Sequence, residues 1–143
     1  MPGKNRRRLN NQALEREQFQ RVLRAAERGN LEAQHDLAAF YATDETLGIK
    51  DEAKAVEWYT KAAKKGHGQS QYDLGFMLLL GEGTQKDVAK GLWWMKRAVA
   101  NGSRDAARLL SDIYAQGLFG VEASSEKAAY WERGARSRES RIY

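Results

Sequence analysis

The sequence predicts an all-α protein: an α-solenoid of about three stacked helix pairs, preceded by one capping helix. Three observations carry this prediction. Trp58, Trp94 and Trp131, three of the four tryptophans, are separated by 36 and then 37 residues. Other columns keep the same period: Ala33, Ser70 and Ala106; Leu37, Leu74 and Leu110; Tyr41, Leu78 and Tyr114; Ala62, Ala98 and Ala135. Glycines separate these stripes, and the one proline is Pro2, so nothing interrupts a helix further along the chain. Such periods mean supersecondary units that bury their apolar faces against one another.

Taken in order, residues 1–11, "MPGKNRRRLNN", read as a basic disordered tail. Residues 12–28 read as a capping helix, because its "RAAERG" ending matches the "KAAKKG" that closes the helix around Trp58. In each repeat the small residue, the Leu and the Tyr or Leu fall at i, i+4 and i+8, one stripe of an α-helix. These first helices, called A, are expected near 30–43, 67–80 and 103–116. A second stripe such as Ala55, Trp58 and Ala62 marks the B helices, expected near 51–65, 87–101 and 124–137. Asp51 and Asp87 stand where they cap the second helices, with Ser124 in that column of the third repeat. Gly29, Gly66 and Gly102 stand where helices stop, and Gly48, Gly81, Gly83, Gly117 and Gly120 lie in the reversals. The repeats are thus bounded at 29–65, 66–101 and 102–137, with a tail at 138–143.

The periodic tryptophans are expected to be stacking core. Each is flanked one turn away by small residues, Ala55 and Ala62, Gly91 and Ala98, Ala128 and Ala135, so a large side chain enters a hollow made by small ones. Leu37, Leu74 and Leu110 complete that core. Trp93 is off the period and admits two readings, a partly exposed contact residue or a cover for the next helix.

Composition limits the function. The chain has no cysteine, which excludes disulfides and Cys-ligated metal. His35 and His67 show no metal-ligand spacing, and "GEGTQKD" lacks the phosphate-loop pattern, so no catalytic residue, metal or cofactor is expected. No apolar run approaches the roughly 20 residues that cross a bilayer, and the basic start is not followed by an apolar stretch, so the expected location is cytoplasmic. The net charge of +5 is uneven: eight basic against three acidic residues in 1–28, and twelve against fourteen in 29–131. The basic excess thus lies at the ends and the middle is slightly acidic, whereas a nucleic-acid binder is expected to concentrate Lys and Arg on a folded face.

"AQHDLAAFY...LGIKDEAKAVEWYTKAAKKG" and "SQYDLGFMLLLGEGTQKDVAKGLWWMKRAVANG" resemble the Sel1-like repeat, a relative of the tetratricopeptide repeat with a longer unit. The resemblance covers about residues 29–136 and implies a right-handed solenoid. The third copy departs from it: Ser124 replaces the aspartate, Arg136 the second alanine and Glu139 the closing glycine. The resemblance also implies a scaffold or adaptor, often bacterial, whose A helices line a concave groove. Helical phase then puts Glu32, His35, Ala39, Ala42 and Thr43 on that face from the first repeat. The second contributes Gln69, Tyr72, Phe76, Leu79 and Leu80, and the third Asp105, Arg108, Asp112, Ala115 and Gln116.

Tyr72, Phe76, Leu79 and Leu80 are too apolar for a solvated face, and with His35, Arg108 and Asp112 around them they form the expected partner site. Its occupant is another protein, a second copy of the chain, or the chain's own terminal helix. Two other functions remain open: an immunity or antitoxin protein that blocks a cognate toxin, and a nucleic-acid-associated factor using the basic termini.

Overall fold

The computed structural model describes residues 2–136, and among these all regular structure is helical. Helix α1 (Pro2–Glu27) is followed by three pairs: α2 (Leu31–Thr43) with α3 (Glu52–Lys64), α4 (Gly68–Leu80) with α5 (Val88–Ala100), and α6 (Arg104–Gln116) with α7 (Ser125–Arg136). A short 3-10 turn at Leu118–Gly120 lies in the last reversal. Every expected A and B helix is present, with bounds within about two residues. Serine 137, the tail at 138–143 and Glu139 lie outside the described residues.

The joints between elements repeat as faithfully as the helices. The Asp51, Asp87 and Ser124 side chains accept the N–H of Lys54, Lys90 and Lys127, capping α3, α5 and α7. Their own backbone N–H groups donate to the carbonyls of Tyr41, Leu78 and Tyr114 at 2.7–2.9 Å, which ties each B helix to the end of its A helix. At the other end, Gly29, Gly66 and Gly102 hold positive φ, a conformation glycine adopts without a Cβ penalty. The next residue, Asn30, His67 or Ser103, then donates its N–H back to Ala25, Ala62 or Ala98, while its side chain caps the following A helix. One position thus stops a helix and starts another.

Leu37, Leu74 and Leu110 are buried as expected. Trp94 is also buried, beside Tyr59, Ala63, Leu74 and Met77, so it reaches back onto the preceding pair. Trp58 and Trp131 are only partly buried, at the margins of the core. On α3 and α5 the residue after the tryptophan, Tyr59 and Met95, is buried. Trp93 is half exposed, its ring edge against Trp94 and its face under the Arg97 guanidinium, so of its two readings the exposed one holds.

Two expectations are corrected. Residues 2–11, read as a disordered tail, belong to α1, and the side chains of 3–11 are exposed. No proline or other breaker separates them from the packed part beginning near Gln12, so the helix propagates outward. Leu79, assigned to the partner site, is fully buried with Met95, Leu110 and Ile113. The cause is a second stripe on α4, formed by Gln71, Gly75 and Leu79 at i, i+4 and i+8. At Gly75 and Gly91, α4 and α5 meet backbone to backbone: a Cβ on either glycine would lie 2.9 Å from the other's carbonyl oxygen. Leu79 fills the space beside that contact.

Candidate functional site

The A-helix face is built from what remains of α2, α4 and α6 once their buried stripes are removed. At its centre Phe76 and Leu80, one turn apart on α4, are 36% and 41% exposed. The Tyr72 ring, half-buried, stacks on Phe76 with centroids 6.3 Å apart. Burial and the neighbouring Asp105 and Asp73 carboxylates push its hydroxyl pKa up, keeping it a neutral donor. A shallow depression beside Phe76 is lined by Ala42, Thr43, Tyr59, Asp73 and Glu82. Arg108 and Asp112, exposed on α6, line another with Ser111, Glu132 and Arg136. With α7 in place through Arg136, Phe76 and Leu80 keep their exposure.

His35 has a different role from an exposed contact. Its Nε2 lies 3.0 Å from Asp73 Oδ2 and its Nδ1 3.5 Å from Asp36, so it bridges α2 to α4. A second bridge runs in parallel. His67 Nδ1 accepts the Ser70 N–H as the cap of α4, which fixes the proton on Nε2, and that nitrogen donates to Glu32 at 3.0 Å. The two imidazoles lie 5.0 Å apart, with His35 also against the Tyr59 ring. Asp73 is 38 residues from His35 and Glu32 is 35 from His67, so helical phase alone did not pair them.

The hydrogen bond that His35 donates to the Asp73 carboxylate raises the pKa of His35 above 6.5, more than partial burial lowers it. A histidine raised in the folded state contributes stability in full below its unfolded pKa of 6.5, and that contribution is lost as pH rises through the folded value. The junction between the first two repeats should therefore be firmer at mildly acidic pH than at pH 8. Melting temperatures of wild type and His35→Gln across that range check this: the variant should show the smaller rise on acidification, and an NMR titration should place the His35 midpoint above 6.5.

Sequence inspection also passed over Gln34 and Gln71, although they repeat at the same period within "AQHDL" and "SQYDL". Both are buried. Their amides donate to the carbonyls of Ala26 and Ala63, and their oxygens accept from Lys65 and Asn101, stapling each A helix to the helix before it and to the end of its own B helix. Ala107 occupies the column in the third repeat, where this staple is missing.

Stacking also sorts charge. Helices α2, α4 and α6 carry five carboxylates against two arginines, whereas α3, α5 and α7 carry nine basic residues against four acidic ones. The A-helix side is acidic around an apolar centre and the B-helix side is basic. Among the described residues no group of three or more His, Asp or Glu is placed to hold a metal ion, and no helix is long and apolar enough to cross a membrane.

A family model described as Sel1 repeat matches residues 31–67, 68–103 and 104–131. Chitin synthase regulatory factor 3 of Schizosaccharomyces pombe is 34% identical over 94 residues, which is 64% of this chain and 10% of that protein. A crystal structure of a Sel1 repeat protein from Oxalobacter formigenes superposes with a TM-score of 0.76 at 34% identity, covering 84% of this chain and 47% of that one. A protective antigen present in uropathogenic Escherichia coli strains gives a TM-score of 0.73 at 34% identity, over 82% of this chain and 25% of its own. This chain thus spans only part of the length of these relatives.

Proposed function

We propose, from the premise that this chain belongs to the Sel1 repeat family, that it is a non-catalytic protein-interaction module that takes its partner on the A-helix face. Sel1 repeat proteins mediate protein–protein interaction. The observation that supports this site is the exposed Phe76 and Leu80 pair with Tyr72 stacked beside it, apolar surface at the centre of an otherwise polar face. Phe76 and Leu80 act as anchors, Tyr72 supplies a hydroxyl, and Arg108 with Asp112 orients the partner from the rim. His35 contributes by fixing α2 against α4 rather than by touching the partner. Blocking of a cognate toxin would use the same surface and differs only in what is bound.

Phe76→Glu combined with Leu80→Glu is the test. Both residues are already partly in water, so helicity should persist, while capture of a copurifying partner should weaken by more than about 2 kcal/mol, roughly 30-fold. Equal capture by the folded double variant would place the partner elsewhere.

A further inference from the structure

The first part of α1 is as unusual as the A-helix face, and the two complement each other. Residues 2–11 hold Lys4, Arg6, Arg7 and Arg8 and no carboxylate, yet they form the N-terminal end of a helix. Positive side chains there oppose the helix dipole, and Gly3, Asn5, Asn10 and Asn11 are weak helix formers. Among the described residues the side chains of 3–11 are all exposed. Leu9 and Leu14 are 64% and 63% exposed, and Leu9 lies with Ala13, one turn on, on one side of the helix, with Leu14 about 140° round from Leu9. An acidic surface with an apolar centre would meet the helix dipole, Leu9 with Ala13, and Arg6 on the same side.

The A-helix face is such a surface. Residues 2–14 as a helix span about 20 Å, long enough to reach across more than one A helix. Leu9 and Ala13, four residues apart, have the same one-turn spacing as Phe76 and Leu80. Asp105 and Asp112 are exposed on α6 to meet the arginines.

We propose that the A-helix face of one molecule receives the basic α1 segment, residues 2–14, of a second copy of this chain. This rests on the reading of that face as a binding surface and names its occupant. The contact is head-to-tail, because the surface offered by one copy differs from the surface it meets on the next. Being driven by opposite charges, it weakens as salt rises.

Sedimentation velocity and light scattering on the full chain test it. Wild type should self-associate at low ionic strength, increasingly with concentration. Two variants should each be monomeric: one with Arg6→Glu, Arg7→Glu and Arg8→Glu, the other with Phe76→Glu and Leu80→Glu. Their equimolar mixture should form a one-to-one complex, because the first keeps an intact face and the second an intact segment. Should the second variant misfold by circular dichroism, Asp105→Lys with Asp112→Lys replaces it, both positions being exposed. A monomeric wild type, a variant that still self-associates, or a mixture that stays monomeric overturns the proposal. A monomeric wild type that still captures another protein, with capture lost in Phe76→Glu/Leu80→Glu, overturns the second copy as occupant and leaves the binding face standing. Arginine substitutions that abolish only binding to a single-stranded oligonucleotide or to anionic vesicles, with the wild type monomeric, likewise overturn it.

Discussion

Trp94→Ala is expected to destabilise the protein by about 3–5 kcal/mol, a large part of the stability of a domain of this size. The indole is buried among Tyr59, Ala63, Leu74 and Met77, residues of the preceding pair and of its own, so its loss opens a cavity at a junction between repeats. In a solenoid each unit is held by its neighbours, and a failure at the central junction removes support from both sides. Trp94→Phe should cost much less: most of the apolar contact remains, and the indole N–H has no hydrogen-bond partner among the described residues. Thermal or urea unfolding followed by circular dichroism measures both. A Trp94→Ala variant as stable as wild type would mean that the tryptophan is not part of the inter-repeat core.

The second large effect separates two adjacent leucines. Leu79→Ala should cost about 2–5 kcal/mol, since Leu79 is fully enclosed beside the Gly75 and Gly91 backbone contact. Leu80→Ala, at a position 41% exposed, should change stability by no more than about 0.5 kcal/mol and instead weaken binding at the A-helix face. Measuring unfolding and partner capture on the same two proteins decides the assignment. Comparable stability losses in both would show that α4 is enclosed on all sides and that no binding face exists there.

The misplacement of Leu79 shows how far a helical wheel reaches. The stripe of Ser70, Leu74 and Leu78 repeats in register with its counterparts, and assigning the opposite arc to solvent assumes that one side of α4 is covered. The central A helix has packed neighbours on two sides, α3 and α5, so Gln71, Gly75 and Leu79 are buried as well. Gly75 and the twice-repeated glutamine were legible hints of that second stripe. The helix at residues 2–11 departs from that expectation for the opposite reason: its arginines and asparagines resemble loop composition, whereas extending a helix already nucleated by packing costs far less than starting one.

What the sequence determined by itself is local and periodic. Hydrophobic stripes, helix caps at Asp51, Asp87 and Ser124, and closing glycines each act within a few residues, so the repeat, the number of helix pairs and the family can be read in one dimension. Tertiary structure decided everything that depends on two helices approaching each other. It set the burial of Leu79, the partial exposure of Trp58 and Trp131, the paired bridges from His35 to Asp73 and from His67 to Glu32, and the separation of an acidic A-helix side from a basic B-helix side. These depend on distances between residues some 35 positions apart in the chain, and only the stacking of one repeat on the next fixes such distances.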